Sequence, residues 1–138
     1  MALWSFADNL ITGDTNGTTG SACPDVFVRD TQTSTTTIVN KDNNGTIGNS
    51  CSYDPSISAD GRYIAFASYA DNLVTNDNNG YSSDIFVHDM TIQTTIRASV
   101  DSMGTEANSN SYKPSISSDG RYVAFTSDAS NIDMMATL

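Results

Sequence analysis

The sequence predicts an all-β protein built from four-stranded antiparallel units that repeat along the chain. Two observations support this fold class. Nearly the same segment, PSISADGRYIAFAS and then PSISSDGRYVAFTS, begins at Pro55 and again at Pro114, which are 59 residues apart. Short apolar segments alternate with turns rich in Asp, Asn and Gly, and no segment has a persuasive helical period. A unit of this size buries its faces only by stacking on neighbouring units.

Two further pairs of segments extend the repeat over most of the chain. DVFVRDTQTSTTTIV from Asp25 and DIFVHDMTIQTTIRASV from Asp84 are also 59 residues apart. FADNLITGDTNG and YADNLVTNDNNG place Asp8 and Asp71 at a spacing of 63. The additional residues of the first copy lie in TTGSAC, which is a predicted loop, and loops tolerate insertions.

Each unit contains four predicted strands, which we label A to D. PSIS is strand A, and the tight-turn signal Asp60-Gly61 leads into strand B, RYIAFAS, which alternates between two apolar faces. DIFVHD is strand C and TTIRASV is strand D. Four short strands joined by short turns, repeated and stacked, are typical of the blades of a β-propeller.

The chain contains about two such blades, arranged as a half, a whole and a half. Residues 1–50 supply part of strand B with strands C and D, residues 51–110 supply a complete blade, and residues 111–138 supply strands A and B with a tail. Each half-blade leaves an unpaired strand edge. We therefore expect a homo-oligomer, with a trimer favoured, in which the A–B half of one subunit pairs with the C–D half of the next. The alternative is a fragment of a longer gene.

The motif PSISxDGRYxAFxS, followed by ADNLVxxDxNG and DIFVxD, resembles the TolB-like β-propeller repeat of bacteria. The resemblance covers residues from about 6 to 131. It implies a propeller that binds partners or is fused to other domains, and it favours a periplasmic or extracellular location as an alternative to the cytoplasm. It does not imply one chemistry, because one fold hosts many functions.

Composition excludes several classes of partner. The 138 residues include 16 acidic and 6 basic side chains, which give a formal net charge of −10. Such a chain lacks the clustered Lys and Arg that bind nucleic acid or an anionic membrane surface. No apolar run approaches the roughly 20 residues of a membrane-spanning helix. The start, MALWSFADNLITGD, has neither a basic region nor a long apolar one, so it predicts no signal peptide.

The loops between strands B and C are candidate calcium sites. Each loop carries an Asp-x-Asn-Gly motif and leads to an Asp that opens strand C. The candidate ligands are Asp14, Asn16 and Asp25 in the first repeat and Asp77, Asn79 and Asp84 in the second. Ca²⁺ prefers six to eight oxygen ligands, many of them from such loops. The alternative is that these are ordinary turn residues.

Cys23 and Cys51 are the only cysteines. Cys23 ends the B–C loop of the first blade and Cys51 ends the D–A loop that leads into the second. Because antiparallel strands place both loops on one rim, a disulfide between neighbouring blades is possible, and the alternative is two free thiols. The matching positions of the next repeat, Ser83 and Asn110, offer no second bridge.

Four further side chains receive structural interpretations. His88 is the only histidine and takes the place of Arg29 in the first repeat, so we expect it on a solvated strand face. Arg62 follows the A–B turn and is expected to pair with an aspartate such as Asp60. Aromatic residues that recur between repeats, such as Tyr63 and Tyr122, are expected to belong to the core.

The sequence favours a non-enzymatic β-propeller module for binding or assembly, which oligomerises by blade completion. A protein or small ligand would bind the rim formed by the B–C and D–A loops, because loops on a rigid scaffold carry function. One alternative is a structural repeat unit of a filament or surface assembly with Ca²⁺-stabilised loops. Another is an enzyme whose site forms only in the assembled ring, although the chain has no G-x-S-x-G nucleophile motif.

Overall fold

A computed structural model describes residues 1–14 and 23–132. These residues form strands and turns without any helix, which confirms the predicted all-β class, so no described helix could span a membrane. The strands are β1 (Ala2–Ser5), β2 (Asp25–Asp30), β3 (Thr35–Ile38), β4 (Ser52–Ile57), β5 (Tyr63–Ser68), β6 (Asp84–Asp89), β7 (Thr94–Arg97), β8 (Ser111–Ile116) and β9 (Val123–Ser127).

The strands form three antiparallel sheets in chain order. Sheet 1 is β1-β2-β3, sheet 2 is β4-β5-β6-β7, and sheet 3 is β8-β9. The pairing registers repeat between sheets: Ser5 lies opposite Asp25 in sheet 1, as Ser68 lies opposite Asp84 in sheet 2. Strand β1 therefore takes the position of β5, and sheet 1 lacks an equivalent of β4. The described residues form no closed ring of sheets.

Sheet 2 lies between the other two sheets, and both of its faces are covered. Strands β1 and β2 pack against β4, and β8 packs against β4 and β5. All six residues of β6 are buried. Toward sheet 1 the core consists of Val26, Val39, Ile64, Phe66, Ala70, Leu73 and Phe86, and toward sheet 3 it consists of Ala65, Val87 and Ile116. The alternation of β5 explains this division, since Ile64 and Phe66 face one way and Ala65 the other.

The turn between the first two strands of a repeat is built in the same way in sheets 2 and 3. The Ser58 hydroxyl donates to Asp60 and accepts from the Tyr63 amide, while Gly61 takes a φ of +75°. Gly120 is the equivalent glycine of sheet 3, and a Cβ there would lie 2.1 Å from Cδ2 of Tyr63. The missing side chain therefore lets the turn of sheet 3 approach the Tyr63 ring of sheet 2.

Equivalent polar contacts join successive sheets at one rim. The Ser52 amide donates to the Pro24 carbonyl at 2.9 Å, and the Ser111 amide donates to the Ser83 carbonyl at 2.7 Å. Beside the first contact a disulfide links Cys23 to Cys51, with 4.7 Å between their Cα atoms. Beside the second, Asn110 replaces Cys51, and its Oδ1 accepts from the Ser83 amide at 2.9 Å. The repeat position held by Cys51 and Asn110 therefore joins sheet 1 to sheet 2 by a disulfide and sheet 2 to sheet 3 by a hydrogen bond.

The expected solvated position of His88 is wrong. His88 is fully buried, its Nδ1 lies 2.9 Å from the Thr95 hydroxyl, and that hydroxyl donates to the Lys41 carbonyl at 2.5 Å. Burial, and then the charge of Lys41, lower the pKa of His88 to about 4, so the imidazole is neutral at pH 7. The prediction failed because a strand between two packed sheets has no solvated face.

The expected pairing of Arg62 with Asp60 is also wrong. Arg62 instead binds Asp89 at the end of β6, with Nε 3.1 Å from Oδ1 and Nη2 2.8 Å from Oδ2. Asp60 is occupied by its own turn, where it accepts from the Arg62 amide. The hydrogen bonds from Arg62 lower the pKa of Asp89 to about 2. Tyr122, predicted to be core, is 60% exposed, because no described sheet covers the outer face of sheet 3.

We expect the double substitution Cys23→Ser and Cys51→Ser to lower the free energy of unfolding. The bridge joins residues 28 apart, and closing a loop of that length in the unfolded chain stabilises the fold by about 3 to 4 kcal/mol. Urea denaturation of both proteins measures the difference. Reductant serves as the control, since it should lower the midpoint of the wild type and leave the double variant unchanged. Alkylation of both thiols in the folded, unreduced wild type would contradict the bridge.

Candidate functional site

Three acidic side chains meet at the rim of sheet 2. Asp77 lies in the loop between β5 and β6, Asp84 is the first residue of β6, and Glu106 lies in the loop between β7 and β8. One carboxylate oxygen from each lies within 4.8 Å of the others. They meet because antiparallel strands bring alternate loops to the same end of the sheet. We call these residues, with Arg97, the Arg97 cluster.

Arg97, the last residue of β7, lies among the three carboxylates. Its Nη2 is 2.9 Å from Asp77, its Nη1 is 2.7 Å from Glu106, and its Nε is 3.5 Å from Asp84. The Arg97 side chain is only 8% exposed, and its guanidinium carbon lies 6.0 Å from the centre of the Phe86 ring. A single buried cation therefore connects two loops and the start of β6.

Neighbouring polar groups orient the carboxylates. The Ser99 hydroxyl donates to Asp84 Oδ1 at 2.6 Å, and Asn79 Nδ2 donates to Asp84 Oδ2 at 2.9 Å and to the Ala107 carbonyl at 3.0 Å. Glu106 accepts from the Asn78 amide at 3.1 Å. The side-chain oxygen of Asn79, Oδ1, is buried and receives no hydrogen bond from the described residues.

The cluster carries more negative than positive charge. Burial raises the pKa of Asp77 to about 6, Arg97 opposes this shift, and the charges of Asp84 and Glu106 reinforce it. Burial also raises the pKa of Asp84, while the Ser99 hydrogen bond and Arg97 oppose the shift. With all four groups ionised, the three carboxylates and one guanidinium carry a net charge of −2. The site therefore favours uptake of a proton or of a further cation.

The structure brings together only some of the residues that the sequence marked as metal ligands. Asp77 and Asp84 belong to the Arg97 cluster, and Asn79 adjoins it. In the first repeat Asp14 and Asp25 are buried, and Asp25 accepts a hydrogen bond from Asn40. Asn16 lies outside the described residues.

Sequence reasoning missed Glu106 and the role of Arg97. A comparison of the two repeats could have indicated both residues. In the first repeat, Ile47 takes the position of Glu106 and Ile38 takes the position of Arg97. Two isoleucines are thus replaced together by opposite charges, and Glu106 is the only glutamate of the chain. A paired exchange of this kind indicates two side chains in contact.

Comparisons of the chain with protein-family models, with curated proteins and with solved structures found no match.

We expect Arg97→Ile alone to destabilise the protein by about 3 to 5 kcal/mol, because it leaves buried carboxylates without their counter-charge. The double variant Arg97→Ile with Glu106→Ile restores the residues of the first repeat, and we expect it to be more stable than the single variant. Urea denaturation of the wild type, both single variants and the double variant gives the coupling energy. Simple additivity of the two single effects would show that the contacts contribute no coupling.

Proposed function

We propose that the chain is a β-propeller segment that acts as a non-enzymatic binding and assembly module and completes its outer sheets with strands of a second copy. The observation that carries this proposal is the ion pair of Arg62 with Asp89 in sheet 2. The repeat equivalents of these two residues are Arg121 in sheet 3 and Asp30 in sheet 1. They lie in the two outer sheets, on opposite sides of sheet 2, so they form no such pair with each other within one chain.

Neither equivalent residue has its ion-pair partner within the described chain. The Arg121 guanidinium lies 4.9 Å from the centre of its own Tyr122 ring and forms no salt bridge there. The Asp30 carboxylate accepts from the Gln32 and Thr33 amides at 2.8 and 3.2 Å, and no arginine reaches it among the described residues. Arg121, which follows the turn of sheet 3, and Asp30, at the end of β2, therefore carry complementary charges, and neither forms the arginine–aspartate pair of sheet 2 within the described residues.

The strand edges are complementary in the same way. In sheet 2, β5 pairs with β4 on one side and with β6 on the other. Among residues 1–14 and 23–132, its equivalent β9 pairs only with β8, so no described strand occupies the edge that would receive a β6-like strand. Strand β2 is the repeat equivalent of β6. An open strand edge of this kind binds another strand through its unpaired amides and carbonyls.

The repeat fixes the register that this pairing would take. By analogy with β5 and β6, Ala124 of one copy would lie opposite Val28 of the second, and Tyr122 opposite Asp30. Strand β1 now occupies that place, but it pairs with β2 over four positions, whereas β5 pairs with β6 over six. Strand β9 would therefore displace β1, gain a longer ladder and place Arg121 beside Asp30.

Most of the affinity would come from the backbone ladder and the apolar faces. Arg62 is 40% exposed in the equivalent pair, and a solvent-exposed ion pair contributes little to affinity. Its main effect is to select the register and the partner. Two units per chain would give six blades in a closed ring of three copies, which remains our favoured assembly.

Charge reversal tests the proposal directly. We expect Arg121→Glu and Asp30→Arg each to shift the chain toward monomer, because each places like charges side by side. The variant with both substitutions restores an opposite pair and should recover the wild-type mass. Light scattering after size-exclusion chromatography, over a range of concentrations, measures the mass. Lys113→Glu, a charge reversal at an exposed residue of β8, is the matched control and should leave the mass unchanged.

The outcomes separate the alternatives. A wild-type monomer at every concentration, or a double variant that does not recover the mass, would contradict blade completion. A mass that grows without limit with concentration would favour an open filament over a ring. A discrete mass of three copies would support the closed assembly.

A second candidate function is calcium-stabilised loop structure at the Arg97 cluster. The Asn79 Oδ1 atom favours it, because this oxygen is buried without a hydrogen-bond partner among the described residues and is a ligand type that Ca²⁺ uses, and the Nδ2 of the same side chain contacts Asp84. The excess charge of −2 in the cluster equals the charge that a divalent cation would neutralise. Asp77, Asp84 and Glu106 would supply carboxylate oxygens.

We expect millimolar Ca²⁺ to raise the melting temperature of the wild type, because a ligand that binds only the folded state stabilises it. Glu106→Gln should remove the shift, while Asp101→Asn in the exposed turn nearby should retain it. Differential scanning fluorimetry with Ca²⁺, with Mg²⁺ and with chelator measures these shifts. An unchanged wild-type melting temperature would reject the calcium function without affecting blade completion.

A further inference from the structure

Four aromatic rings form a connected group across sheets 1 and 2. The centre of the Trp4 ring lies 5.6 Å from that of Phe6 and 6.4 Å from that of Tyr53, and Tyr53 lies 5.9 Å from Tyr69. The planes of these pairs meet at 79°, 83° and 85°, so each ring is nearly perpendicular to its neighbour. We call these four residues the aromatic cluster.

The cluster is open to solvent. Trp4 is 44% exposed, Phe6 is 58% exposed and Tyr69 is 38% exposed. Large aromatic side chains bury most of their surface when their role is packing. In each perpendicular pair the edge of one ring meets the face of the other, and the exposed rings of Trp4, Phe6 and Tyr69 still present ring surface to solvent. Ring faces carry the negative part of the ring quadrupole, which attracts cations.

The cluster breaks the repeat, which separates it from the core. At the contact between sheets 2 and 3, the equivalent positions hold Ala67, Tyr69, Tyr112 and Asp128. There the Tyr112 hydroxyl donates to Asp128 at 2.9 Å, and no group of four rings forms. Stacking of successive sheets therefore does not require these rings, since the second contact is made without them.

The charge beside the cluster is negative, whereas the equivalent charge at the next contact is positive. Asp54 follows Tyr53, is exposed, and has Lys113 as its repeat equivalent. Burial, then Tyr69, then Asp54 raise the pKa of the Tyr53 hydroxyl, so the carboxylate acts on that ring. The chain as a whole carries a net charge of −10. A positively charged ligand matches this environment.

The rings are held by a rigid frame. The Tyr69 amide donates to the Cys51 carbonyl at 2.9 Å, and Cys51 is joined to Cys23 by the disulfide. Tyr53 lies in β4, two residues from that bridge, and Trp4 lies in β1. Side chains fixed before binding lose little conformational entropy when a ligand arrives.

From this geometry we infer that the aromatic cluster binds an organic cation of the quaternary ammonium class, with the cation against the ring faces and Asp54 supplying the opposing charge. A trimethylammonium group is compact and has no hydrogen-bond donors, so it suits perpendicular rings. A guanidinium group is planar and is bound best by a carboxylate in two parallel hydrogen bonds, which Asp54 alone would have to provide. The observations that carry this inference are different from those that carry blade completion, so either proposal can fail without the other.

Trp4 is the only tryptophan of the chain, so its fluorescence reports on the cluster alone. The probe is choline, and its control is the neutral alcohol in which a tert-butyl group replaces the trimethylammonium group. The experiment uses the Arg121→Glu chain at a concentration at which light scattering gives the mass of one copy, so that no second copy displaces β1. We expect a saturable fluorescence change with choline and at least a tenfold weaker response to the neutral alcohol.

Two substitutions assign the binding to the cluster. Tyr53→Leu should weaken choline binding roughly five- to thirty-fold, the range of a desolvated cation–π contact. Asp54→Asn, which tolerates the φ of +51° at this position, should weaken it roughly two- to fivefold. Tyr112→Leu at the repeat-equivalent position should have no effect. Equal responses to choline and to the neutral alcohol, no saturable response to choline, or equal loss in the Tyr112 variant would overturn the inference.

Discussion

Strands β4 to β7 form a sheet with two apolar faces, and each face is covered by a different neighbouring sheet. This double coverage explains the main features of the molecule. It buries every residue of β6, excludes solvent from His88 and removes its charge at neutral pH. It also requires sheets 1 and 3, because a single four-stranded sheet exposes too much apolar surface to be stable alone. Each outer sheet has one face covered by sheet 2, and no described sheet covers its other face.

Polar groups at the rim then determine how the sheets are connected. The disulfide between Cys23 and Cys51 joins sheet 1 to sheet 2, and a hydrogen bond from the Ser83 amide to Asn110 joins sheet 2 to sheet 3. Arg97 makes a different connection within sheet 2, since it holds two loops against the start of β6. Its surplus of carboxylates is costly to bury without a partner, which makes the cluster responsive to protons or cations.

The repeat made the strands, their antiparallel order and the meeting of Asp77 with Asp84 predictable, because these follow from alternation and from turn residues. It did not predict the partner of Arg62, since the sequence shows only the nearest aspartate and the ladder brings Asp89 closer. It misplaced His88, because polarity alone does not indicate how many faces of a strand are covered. The aromatic cluster was missed for another reason: its rings come from three separate parts of the chain, at β1, β4 and the end of β5, and the group as a whole does not recur at the contact between sheets 2 and 3.

Strand β1 links the proposed blade completion to the proposed cation binding through one physical constraint. It fills the position that β9 of a second copy would take, and it also carries Trp4 of the aromatic cluster. A cation bound to the cluster would stabilise β1 in its place, whereas the proposed assembly would require β1 to leave. Thermodynamic linkage then makes the two events oppose each other to the same extent in both directions. A short strand of four residues is suited to such an exchange, because its ladder with the edge of β2 consists of only four residue pairs.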